Sequence, residues 1–506
     1  MHLPRSLRTV LACTAAAAVL PLVASAPAAA GGEKQSSAGT TAAAAKRPKS
    51  LVIGIDGATF DAFAKARMPH VKKLMANGMT ATGYLYADPM APTSSGPGWS
   101  TIATGAWPDR HKVVDNAFTG ARFDLHPDYA TRLENADPSL DTLVVGTWGP
   151  IRDTVFGPAV DTRLGGVSDA DTTATAVSRL RNTDADAVFV HLDEVDGAGH
   201  SYGTGHQAYL DALYAADTRV GRLLGAVRAR TTYADENWQV IVTADHGHTP
   251  GGGHGGNTPD ERRTFVIAKG AGFAPGSVRH DVKVTDIAPT VLTHFGVAAD
   301  PAWQLDGKPI GSLAPDAFDA LRPVLNTRVD ELALSSALKG WTTTAPGGWT
   351  VDNSAMPAGG VTEWRGWSFA TDEFWSNAEP GQARETNVRA RDVFAVADSD
   401  EWDDKPHGDG PFDSTLISPA FAVTGGATAT VSYATNYRVD GPQTGDVLIS
   451  FDGGPAQLLR SYREDRNAFE ELAVAVPAGV TGARLSFRYT GTNSAFWTID
   501  QVTLTH

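Results

Sequence analysis

Aspartate and histidine residues follow three short apolar segments of the chain, "LVIGI", "AVFVHL" and "VIVTA". Runs of this kind predict strands that are buried on both faces of a parallel sheet. In open α/β sheets, ligands bind beyond the carboxyl ends of the strands, so we expect these polar side chains at one edge. The side chains are Asp56, Asp196, His200, Asp245, His246 and His254.

Carboxylate and imidazole groups together are typical ligands of zinc and of other borderline divalent metals. The set is larger than one tetrahedral ion needs. Two cations roughly 4 Å apart would use all of it, and such pairs stabilise an in-line displacement at phosphorus. The sequence therefore predicts two divalent metal ions, zinc or alternatively manganese, and a small-molecule phosphate ester as substrate.

Ser95 lies in "TSSGPGWSTIATG" (93–105), where Pro97 marks the start of a predicted helix. A serine just before a helix N-terminus is placed where free N–H groups favour an anion. Metal coordination is one of the few ways to ionise a serine hydroxyl at neutral pH. Three aspartates and a Ser95 alkoxide would balance two divalent cations, which makes Ser95 a candidate nucleophile. The alternative is an ordinary turn that leads into a helix.

The motif order "IDG", "SGPGWSTIATG", "DEVDGAGHSYG", "TADHGHTPGGGHGG" and "DIAPTVLTHFG" resembles the alkaline phosphatase superfamily. Within it, residues 50–311 are most similar to the type I phosphodiesterase/nucleotide pyrophosphatase family. This resemblance implies a covalent phospho-serine mechanism with two metals. The ligands it implies are Asp196, His200 and His254 for one metal, and Asp56, Asp245, His246 and the oxygen of Ser95 for the other.

The sequence departs from the family pattern around the nucleophile. Ser95 stands where nucleotide pyrophosphatases usually have threonine, and Gly96 replaces an aromatic residue that can stack on a base, which leaves nucleotide specificity open. The resemblance implies that Asn116 binds the phosphate oxygens. Trp99 stands where the sulfatase pattern C/S-x-P-x-R has arginine. It either packs under the nucleophile helix or forms a wall of the substrate pocket.

The basic residues nearest to Ser95 in sequence are Arg110 and Lys112, and the family pattern gives neither a phosphate-binding role. Because a monoester dianion usually needs an additional cation, we expect a diester substrate. Arg262 or Arg263, brought in by folding, would favour a monoester instead. The alternatives are a phosphomonoesterase, phosphonate hydrolase or sulfatase on the same fold, and a carbohydrate-binding adhesion protein with an inactive α/β domain.

Strands and helices alternate over residues 50–311, which predicts an α/β domain with a mostly parallel sheet and helices on both faces, as in alkaline phosphatase. Residues 312–334 resemble a helical connector. Residues 335–506 have short alternating strands and many tryptophans, typical of an antiparallel, jelly-roll-like β-sandwich. Its tryptophans form the core, or else Trp364, Trp367 and Trp375 are exposed and stack on a carbohydrate or cell-wall ligand.

The first 30 of the 506 residues resemble a secretory signal peptide, with two arginines, an apolar run and an A-x-A site. Residues 31–49 resemble a flexible linker. The only cysteine, Cys13, lies in the predicted signal, so we expect a secreted protein without disulfides. The net charge of -15 argues against binding to a nucleic-acid backbone, and no segment is long and apolar enough to be predicted as transmembrane.

Overall fold

The computed structural model describes residues 45–506. The predicted signal peptide and most of the predicted linker therefore lie outside the described residues. Residues 47–279 contribute eight strands to a single sheet, which carries the candidate site at one edge. The strands are β1 (Arg47–Ile55), β2 (Met79–Tyr84), β3 (Thr142–Gly146), β4 (Thr162–Gly165), β5 (Ala187–Leu192), β6 (Glu236–Thr243), β7 (Arg263–Lys269) and β8 (Ser277–Arg279).

The sheet has the order β4-β3-β5-β1-β6-β7-β2-β8. Strands β3, β4, β5, β1 and β6 are mutually parallel, so their carboxyl ends meet at one edge. Strand β7 is antiparallel to both of its neighbours, β6 and β2. The predicted, mostly parallel α/β sheet is confirmed, with β7 as the exception within it.

Helices cover both faces of this sheet. Leu51 and Ile53 of β1 pack into the core on one face, and Val52 packs into the core on the other. The Ser168 side chain caps one of these helices by accepting the N–H of Asp171. The helices are α1 (Pro69–Ala76), α2 (Ser95–Thr104), α3 (Pro108–His111), α4 (Tyr129–Ala136), α5 (Asp169–Asn182), α6 (Glu194–Tyr202), α7 (Gln207–Arg228), α8 (Pro259–Arg262) and α9 (Ile287–His294).

The C-terminal part consists of two antiparallel sheets that enclose one core, which confirms the predicted all-β region. One sheet has the order β19-β16-β21-β13-β12-β10-β9, and the other has β11-β14-β20-β17-β18 with β15 beside β20. The strands are β9 (Asn326–Thr327), β10 (Lys339–Thr342), β11 (Thr350–Asp352), β12 (Ser368–Thr371), β13 (Val393–Asp398), β14 (Phe412–Ile417), β15 (Phe421–Ala422), β16 (Thr428–Tyr437), β17 (Thr444–Phe451), β18 (Gln457–Tyr462), β19 (Arg466–Ala475), β20 (Gly482–Gly491) and β21 (Phe496–Thr505), and two short helices, α10 (Asp372–Trp375) and α11 (Ser399–Asp403), lie between them.

The tryptophans proposed as a sugar-binding surface are part of this core. Trp364 is 1% exposed, and Trp367 and Trp375 are fully buried. Trp367 packs against Trp497, and the Trp375 indole N–H donates to Asp398. A buried ring cannot stack on a carbohydrate, so the interpretation that these three residues bind sugars is wrong, and the interpretation that they form the core is confirmed.

The predicted helical connector, residues 312–334, contains one six-residue 3-10 helix, Asp319–Val324, and strand β9. Pro323 lies inside that short helix and has no N–H to continue an α-helix, which explains why the segment departs from the prediction. Phe318, Leu321 and Leu325 pack into the core of the sandwich. The connector is therefore built into the β part of the molecule.

Buried ion pairs join the sheet that carries the site to the sandwich. Arg391 donates to both carboxylate oxygens of Asp286, at 2.7 and 2.8 Å. Arg389 binds Asp306 and Asp109, each at 3.0 Å. Charged partners that are removed from water in this way must stay paired, so the two parts are held in one arrangement.

Candidate metal centre and nucleophile

Ser95 is the first residue of α2, so the helix begins earlier than the predicted start at Pro97. Pro97 fits in this first turn because the leading N–H groups of a helix have no intrahelical acceptor. The Ser95 Oγ atom lies 3.4 Å from Asp56 Oδ1 and 3.4 Å from His246 Nε2. The hydroxyl therefore faces acidic and imidazole groups at a helix N-terminus that favours an anion.

Two glycines allow the nucleophile turn to fit closely against its neighbours. A Cβ atom at Gly96 would lie 2.5 Å from the Asp115 carbonyl oxygen, and one at Gly98 would lie 2.8 Å from Asp245 Cβ. No side chain fits at either position without displacing the backbone. The aromatic residue that many family members carry after the nucleophile is therefore sterically excluded from position 96 in this chain.

The first metal-ligating cluster contains Asp56, which follows β1, and Asp245 and His246, which follow β6. All three are buried, and one ligand atom from each lies within 4.8 Å of the others. His246 Nε2 lies 3.4 Å from Asp56 Oδ1 and 3.3 Å from Asp245 Oδ2.

Asp245 Oδ2 makes no hydrogen bond with any described residue. Burial, together with the nearby Asp56 and Asp196 carboxylates, raises the pKa of Asp245 well above its usual range. A buried carboxylate oxygen without a donor is costly unless a cation neutralises it. The first cluster therefore fits a divalent metal ion.

The second cluster lies on α6 and on the loop after β6. His200 Nε2 lies 3.5 Å from Asp196 Oδ2, and His254 Nε2 lies 3.5 Å from Asp196 Oδ1. The two imidazole nitrogens of His200 and His254 are 3.0 Å apart. The His200 side chain is 51% exposed, so it forms the open side of the cluster.

The structure brings His246 and His248 together with Asp196 and His254, whereas His200 lies outside this set. The ligand atoms of Asp196, His246, His248 and His254 all lie within 4.8 Å of one another. Four such groups are enough for a tetrahedral metal, although they include one histidine that the sequence does not predict. Hydrogen bonding at the outer ring nitrogen indicates where the proton of a neutral histidine lies in the four rings described next.

In two histidines, the outer nitrogen lies next to a carbonyl oxygen. His246 Nδ1 is 3.0 Å from the Gly247 carbonyl, and His254 Nδ1 is 2.8 Å from the Thr93 carbonyl. A carbonyl only accepts hydrogen bonds, so in each neutral ring Nδ1 carries the proton and Nε2 has a free lone pair. His246 and His254 therefore present a ligand atom to the site.

The opposite arrangement holds in His248 and His191. His248 Nδ1 accepts the N–H of Gly253 at 3.2 Å, and His191 Nδ1 accepts the N–H of Trp148 at 3.4 Å. In each neutral ring, Nε2 therefore carries the proton. The Nε2–H group of His248 donates to Asp196 Oδ1 at 2.8 Å, and that of His191 donates to Asp56 Oδ2 at 3.0 Å. In this arrangement the two histidines hold the carboxylates by hydrogen bonds, and neither has a free lone pair at Nε2.

Hydrogen bonds from two neighbouring side chains fix the orientation of the Asp56 carboxylate. Its Oδ2 atom accepts from both His191 and the Trp99 indole, which leaves Oδ1 facing Ser95. Although burial alone would raise the pKa of Asp56, the hydrogen bond from His191 and the nearby His246 lower it. Asp56 is therefore held as a carboxylate with one oxygen directed to the nucleophile.

One of the two interpretations of the sequence makes Trp99 a wall of the substrate pocket. The structure contradicts this interpretation. Trp99 is 1% exposed, and its ring packs edge-on against Phe189 and His191 beneath the site. Gly54 makes room for it, since a Cβ atom there would lie 2.3 Å from the indole. That prediction is corrected: Trp99 acts inside the protein, as a hydrogen-bond donor to Asp56.

Asn116 lies beside the nucleophile turn. Its Oδ1 atom accepts the N–H of Gly96 at 2.7 Å, and the residue is exposed. The side-chain amide N–H groups have no acceptor among residues 45–506. This geometry leaves them available to an anion near Ser95, and the role in phosphate binding stays a prediction.

The arginines that the sequence offers as the additional cation for a monoester dianion bind other groups of the protein. Arg262 binds the Leu85 carbonyl and Asp372, and Arg263 binds Asp61. Arg110 donates to Asp306 at 2.9 Å. Lys112 is exposed and has no ion-pair partner in the described part of the chain.

Asp193 lies at the rim of the first cluster. Its carboxylate is within 4.8 Å of ligand atoms of Asp56 and His191, and it accepts no hydrogen bond from residues 45–506. Burial and the neighbouring Asp56 carboxylate raise the pKa of Asp193 to about 6. The Trp148 ring lies 6.5 Å from that of His191 and 6.1 Å from that of Phe118. A carboxylate that accepts no hydrogen bond can bind a cationic substrate group.

Comparisons with known proteins extend these observations. The chain is 30% identical over 234 residues to GPI ethanolamine phosphate transferase 1 of Chaetomium globosum, which covers 42% of this chain and 24% of that protein. The corresponding protein of Yarrowia lipolytica is 28% identical over 253 residues, 44% of this chain and 26% of that protein. The matches span about a quarter of the length of these curated relatives.

Among solved structures, murine ectonucleotide pyrophosphatase/phosphodiesterase 5 is similar at 16% identity and a TM-score of 0.40. The match covers 50% of this chain and 96% of that one. A phosphonate monoester hydrolase of Agrobacterium radiobacter is similar at 16% identity and a TM-score of 0.38, over 53% of this chain and 78% of that one.

These relatives overturn the prediction of a secreted protein. The curated proteins that match are named as GPI ethanolamine phosphate transferases, not as secreted hydrolases, so that prediction is withdrawn. None of the helices within residues 45–506 combines the length and apolar character needed to cross a membrane.

The family comparison agrees with the motifs that the sequence carries. The sequence model of the family described as type I phosphodiesterase/nucleotide pyrophosphatase matches residues 50–156 and 124–371, which is more than half of the chain. The chain therefore belongs to the type I phosphodiesterase/nucleotide pyrophosphatase family.

Proposed function

We propose that this protein is a metal-dependent hydrolase of phosphodiesters that acts through a covalent phospho-serine at Ser95. The observation that carries the proposal is the contact of Ser95 Oγ with Asp56 Oδ1 and His246 Nε2, at 3.4 Å each, beside the unpartnered oxygen of Asp245. A hydroxyl at a helix N-terminus among metal-ligating groups is suited to act as a nucleophile.

One cation would be held by Asp56, Asp245, His246 and Ser95, and the other would be held by Asp196, His200 and His254. We propose zinc as the metal, with manganese as the alternative. When bound, such cations lower the pKa of the serine hydroxyl and offset negative charge that develops on the leaving oxygen. His191 and His248 hold the carboxylates at fixed orientations.

The chain's own groups then account for the reaction. Ser95 Oγ attacks phosphorus in line and forms an O–P bond, while the bond from phosphorus to the leaving alcohol breaks and that alcohol takes up a proton. The Asn116 amide N–H groups bind an equatorial phosphate oxygen. In a second displacement, water attacks phosphorus from the side opposite to Ser95. The bond from phosphorus to Ser95 Oγ breaks, Oγ takes up a proton from the water, and the product is a phosphate monoester.

A trapping experiment tests this proposal. Rapid acid quench during turnover of a phosphodiester should yield protein that carries one substituted phosphoryl group, located on Ser95 by mass spectrometry. Ser95→Ala should abolish the adduct and reduce turnover by several orders of magnitude. Ser94→Ala is the matched control and should keep both. An adduct at Ser94, or full turnover by Ser95→Ala, would refute the assignment.

A second candidate is transfer of an ethanolamine phosphate group, the activity in the name of the curated relatives. The observation that favours it is the unpartnered Asp193 carboxylate, which lies within 4.8 Å of ligand atoms of Asp56 and His191 and can bind an ammonium group. With phosphoethanolamine diesters as donor, an alcohol acceptor should then compete with water for the phosphoryl group. Asp193→Asn should weaken use of the ethanolamine donor more than that of the uncharged ethyl analogue.

The remaining alternatives have less support from the described residues. The sulfatase pattern requires an arginine where this chain has the buried Trp99. An adhesion protein with an inactive α/β domain would have no need of the assembled Asp and His clusters. The tryptophans suggested as its sugar-binding surface lie in the core.

A further inference from the structure

Thr93 lies two residues before Ser95, in the turn that leads into α2, and its side chain is fully buried. Its hydroxyl donates to the Gly256 carbonyl at 2.9 Å and accepts the N–H of Gly255 at 3.0 Å. Both partners belong to the loop after β6, residues 248–256, which we call the glycine loop. One buried hydroxyl therefore joins the nucleophile turn to this loop as both donor and acceptor.

The backbone carbonyl of Thr93 contacts the same loop. It accepts from His254 Nδ1 at 2.8 Å, so the other ring nitrogen, Nε2, faces Asp196 in the second cluster. Thr93 thus makes three hydrogen bonds to three consecutive residues, 254–256. Among residues 45–506, these are the hydrogen bonds that connect positions 93–96 with the glycine loop.

The glycine loop has few side chains with which to pack. Gly251, Gly252 and Gly253 precede His254, and two more glycines follow it. Gly253 and Gly255 have φ values of +115° and +109°, and a Cβ atom at either would have no neighbouring heavy atom within 4 Å among residues 45–506. On both sides of His254 the loop is therefore held by backbone hydrogen bonds more than by packing.

A second anchor lies on the other side of the loop. The N–H of Gly256 donates to Glu261 Oε1 at 2.8 Å, and Glu261 Oε2 accepts the N–H of Thr258 at 3.2 Å. Glu261 is buried and belongs to α8. This anchor fixes the loop to the sheet, whereas Thr93 fixes it to the nucleophile turn.

From these contacts we infer that Thr93 is a positioning residue, which holds His254 of the second cluster at a fixed place relative to Ser95. The inference rests on the proposed function in taking Ser95 as the nucleophile and His254 as a metal ligand. Thr93 acts through His254. Because the His254 ring stacks on that of His246, with centroids 3.9 Å apart, a shift of the loop would reach the first cluster too.

Hydrogen exchange in the chelator-treated, metal-free protein tests the link itself. Thr93→Val removes the hydroxyl at nearly constant volume, and peptides that cover residues 249–256 should then exchange at least about 10-fold faster. Thr93→Ala should behave in the same way, and Thr93→Ser, which keeps the hydroxyl, should restore the parent rate. Peptides from β1 and β6 should exchange at the parent rate in every variant, which shows that the sheet is intact.

Thr290→Val is the matched control. Thr290 is also buried, and its hydroxyl accepts the N–H of the distant Ile310 at 2.9 Å. It lies on α9, whose first turn contacts Gly105 at the end of α2 opposite to Ser95. Its replacement should leave exchange of residues 249–256 unchanged.

Metal affinity provides a second measurement, by competition between zinc and a chromophoric chelator. Thr93→Val should weaken one of the two ions by about 10- to 100-fold, as expected when a group that orients a ligand is lost, and Thr93→Ser should recover the affinity. At saturating zinc, kcat for bis(p-nitrophenyl) phosphate should still fall at least about 10-fold with little change in KM, because the nucleophile and the metal are no longer aligned.

The inference is overturned if Thr93→Val and Thr290→Val match in loop exchange and in zinc affinity, or if Thr93→Ser rescues neither. A parent protein that binds two zinc ions but cleaves no phosphodiester would refute the proposed function instead. In that case the exchange and affinity measurements still decide the role of Thr93, since neither of them needs a substrate.

Discussion

His248 Nε2 donates a hydrogen bond of 2.8 Å to Asp196 Oδ1, while its Nδ1 atom accepts the N–H of Gly253. The ring therefore orients a carboxylate of the second cluster and has no free lone pair at Nε2. Gly57 and Gly199 leave room for it, because a Cβ atom at either would lie 2.6 Å from His248 Nε2. His191 supports Asp56 of the first cluster in the same way.

The first prediction concerns these two positioning histidines. His248→Ala should lower the affinity for the metal at the second cluster by about 10- to 100-fold, the usual effect of losing a group that orients a ligand. His248→Gln, which can still donate to Asp196, should recover part of the affinity. The measurement is competition with a chromophoric chelator.

His191→Ala serves as the matched comparison, since it should weaken the other ion, at the Asp56 cluster. If His248 were a ligand, its replacement by alanine would abolish one ion altogether and glutamine would not rescue it. Loss of both ions in either variant would instead indicate general disruption of the site.

The second prediction concerns metal content. Chelation should abolish phosphodiester cleavage, and zinc or manganese should restore it, with close to two ions per chain by elemental analysis. Asp196→Ala should remove one ion and keep the other, because the two clusters use different carboxylates. Ser95→Ala should keep both ions. Undiminished activity in the metal-free protein would rule out the proposed function.

Much of this site could be predicted from the chain because it depends on strand ends. Asp56 and Asp245 follow apolar runs that form β1 and β6, and parallel strands bring their carboxyl ends to one edge. The spacing of Asp196 and His200 likewise places both on one face of a helix. Such features are local in sequence, so composition and periodicity reveal them.

Other features depend on contacts that no local pattern encodes. His191 lies within a buried strand, where a histidine would ordinarily be read as a core residue, and its role follows only from the adjacent Asp56. In the sequence, burial is the more common role for Trp99 and for the tryptophans of the sandwich, but the pattern is compatible with exposure as well. For these residues, only the tertiary structure determines which groups face the interior.

The third prediction concerns the stability of the seam, the contact between the sheet that carries the site and the sandwich. Arg391→Met should lower the free energy of unfolding by about 3–5 kcal/mol, since it leaves the fully buried Asp286 carboxylate without its bidentate partner. Arg438→Met removes an ion pair with the half-exposed Asp465 and should cost at most about 1 kcal/mol. Urea unfolding compares the two variants, and equal losses would show that the seam pair contributes no more than a surface pair.

The fourth prediction is the choice between diester and monoester substrates. A monoester dianion carries one more negative charge than a diester, and enzymes that bind it usually supply an additional cation. In this chain Arg262 and Arg263 are paired with Asp372 and Asp61, and Arg110 is paired with Asp306. None of the three is free to bind the additional charge.

Bis(p-nitrophenyl) phosphate should therefore exceed p-nitrophenyl phosphate in kcat/KM by at least about 10-fold, which corresponds to about 1.4 kcal/mol of transition-state stabilisation. Lys112 is the exposed basic residue near Asn116 that remains unpaired among residues 45–506. Lys112→Met is accordingly the informative variant, and it should leave the diester preference unchanged. If the parent protein instead prefers the monoester and Lys112→Met loses that preference, Lys112 supplies the missing cation. The protein would then act as a phosphomonoesterase.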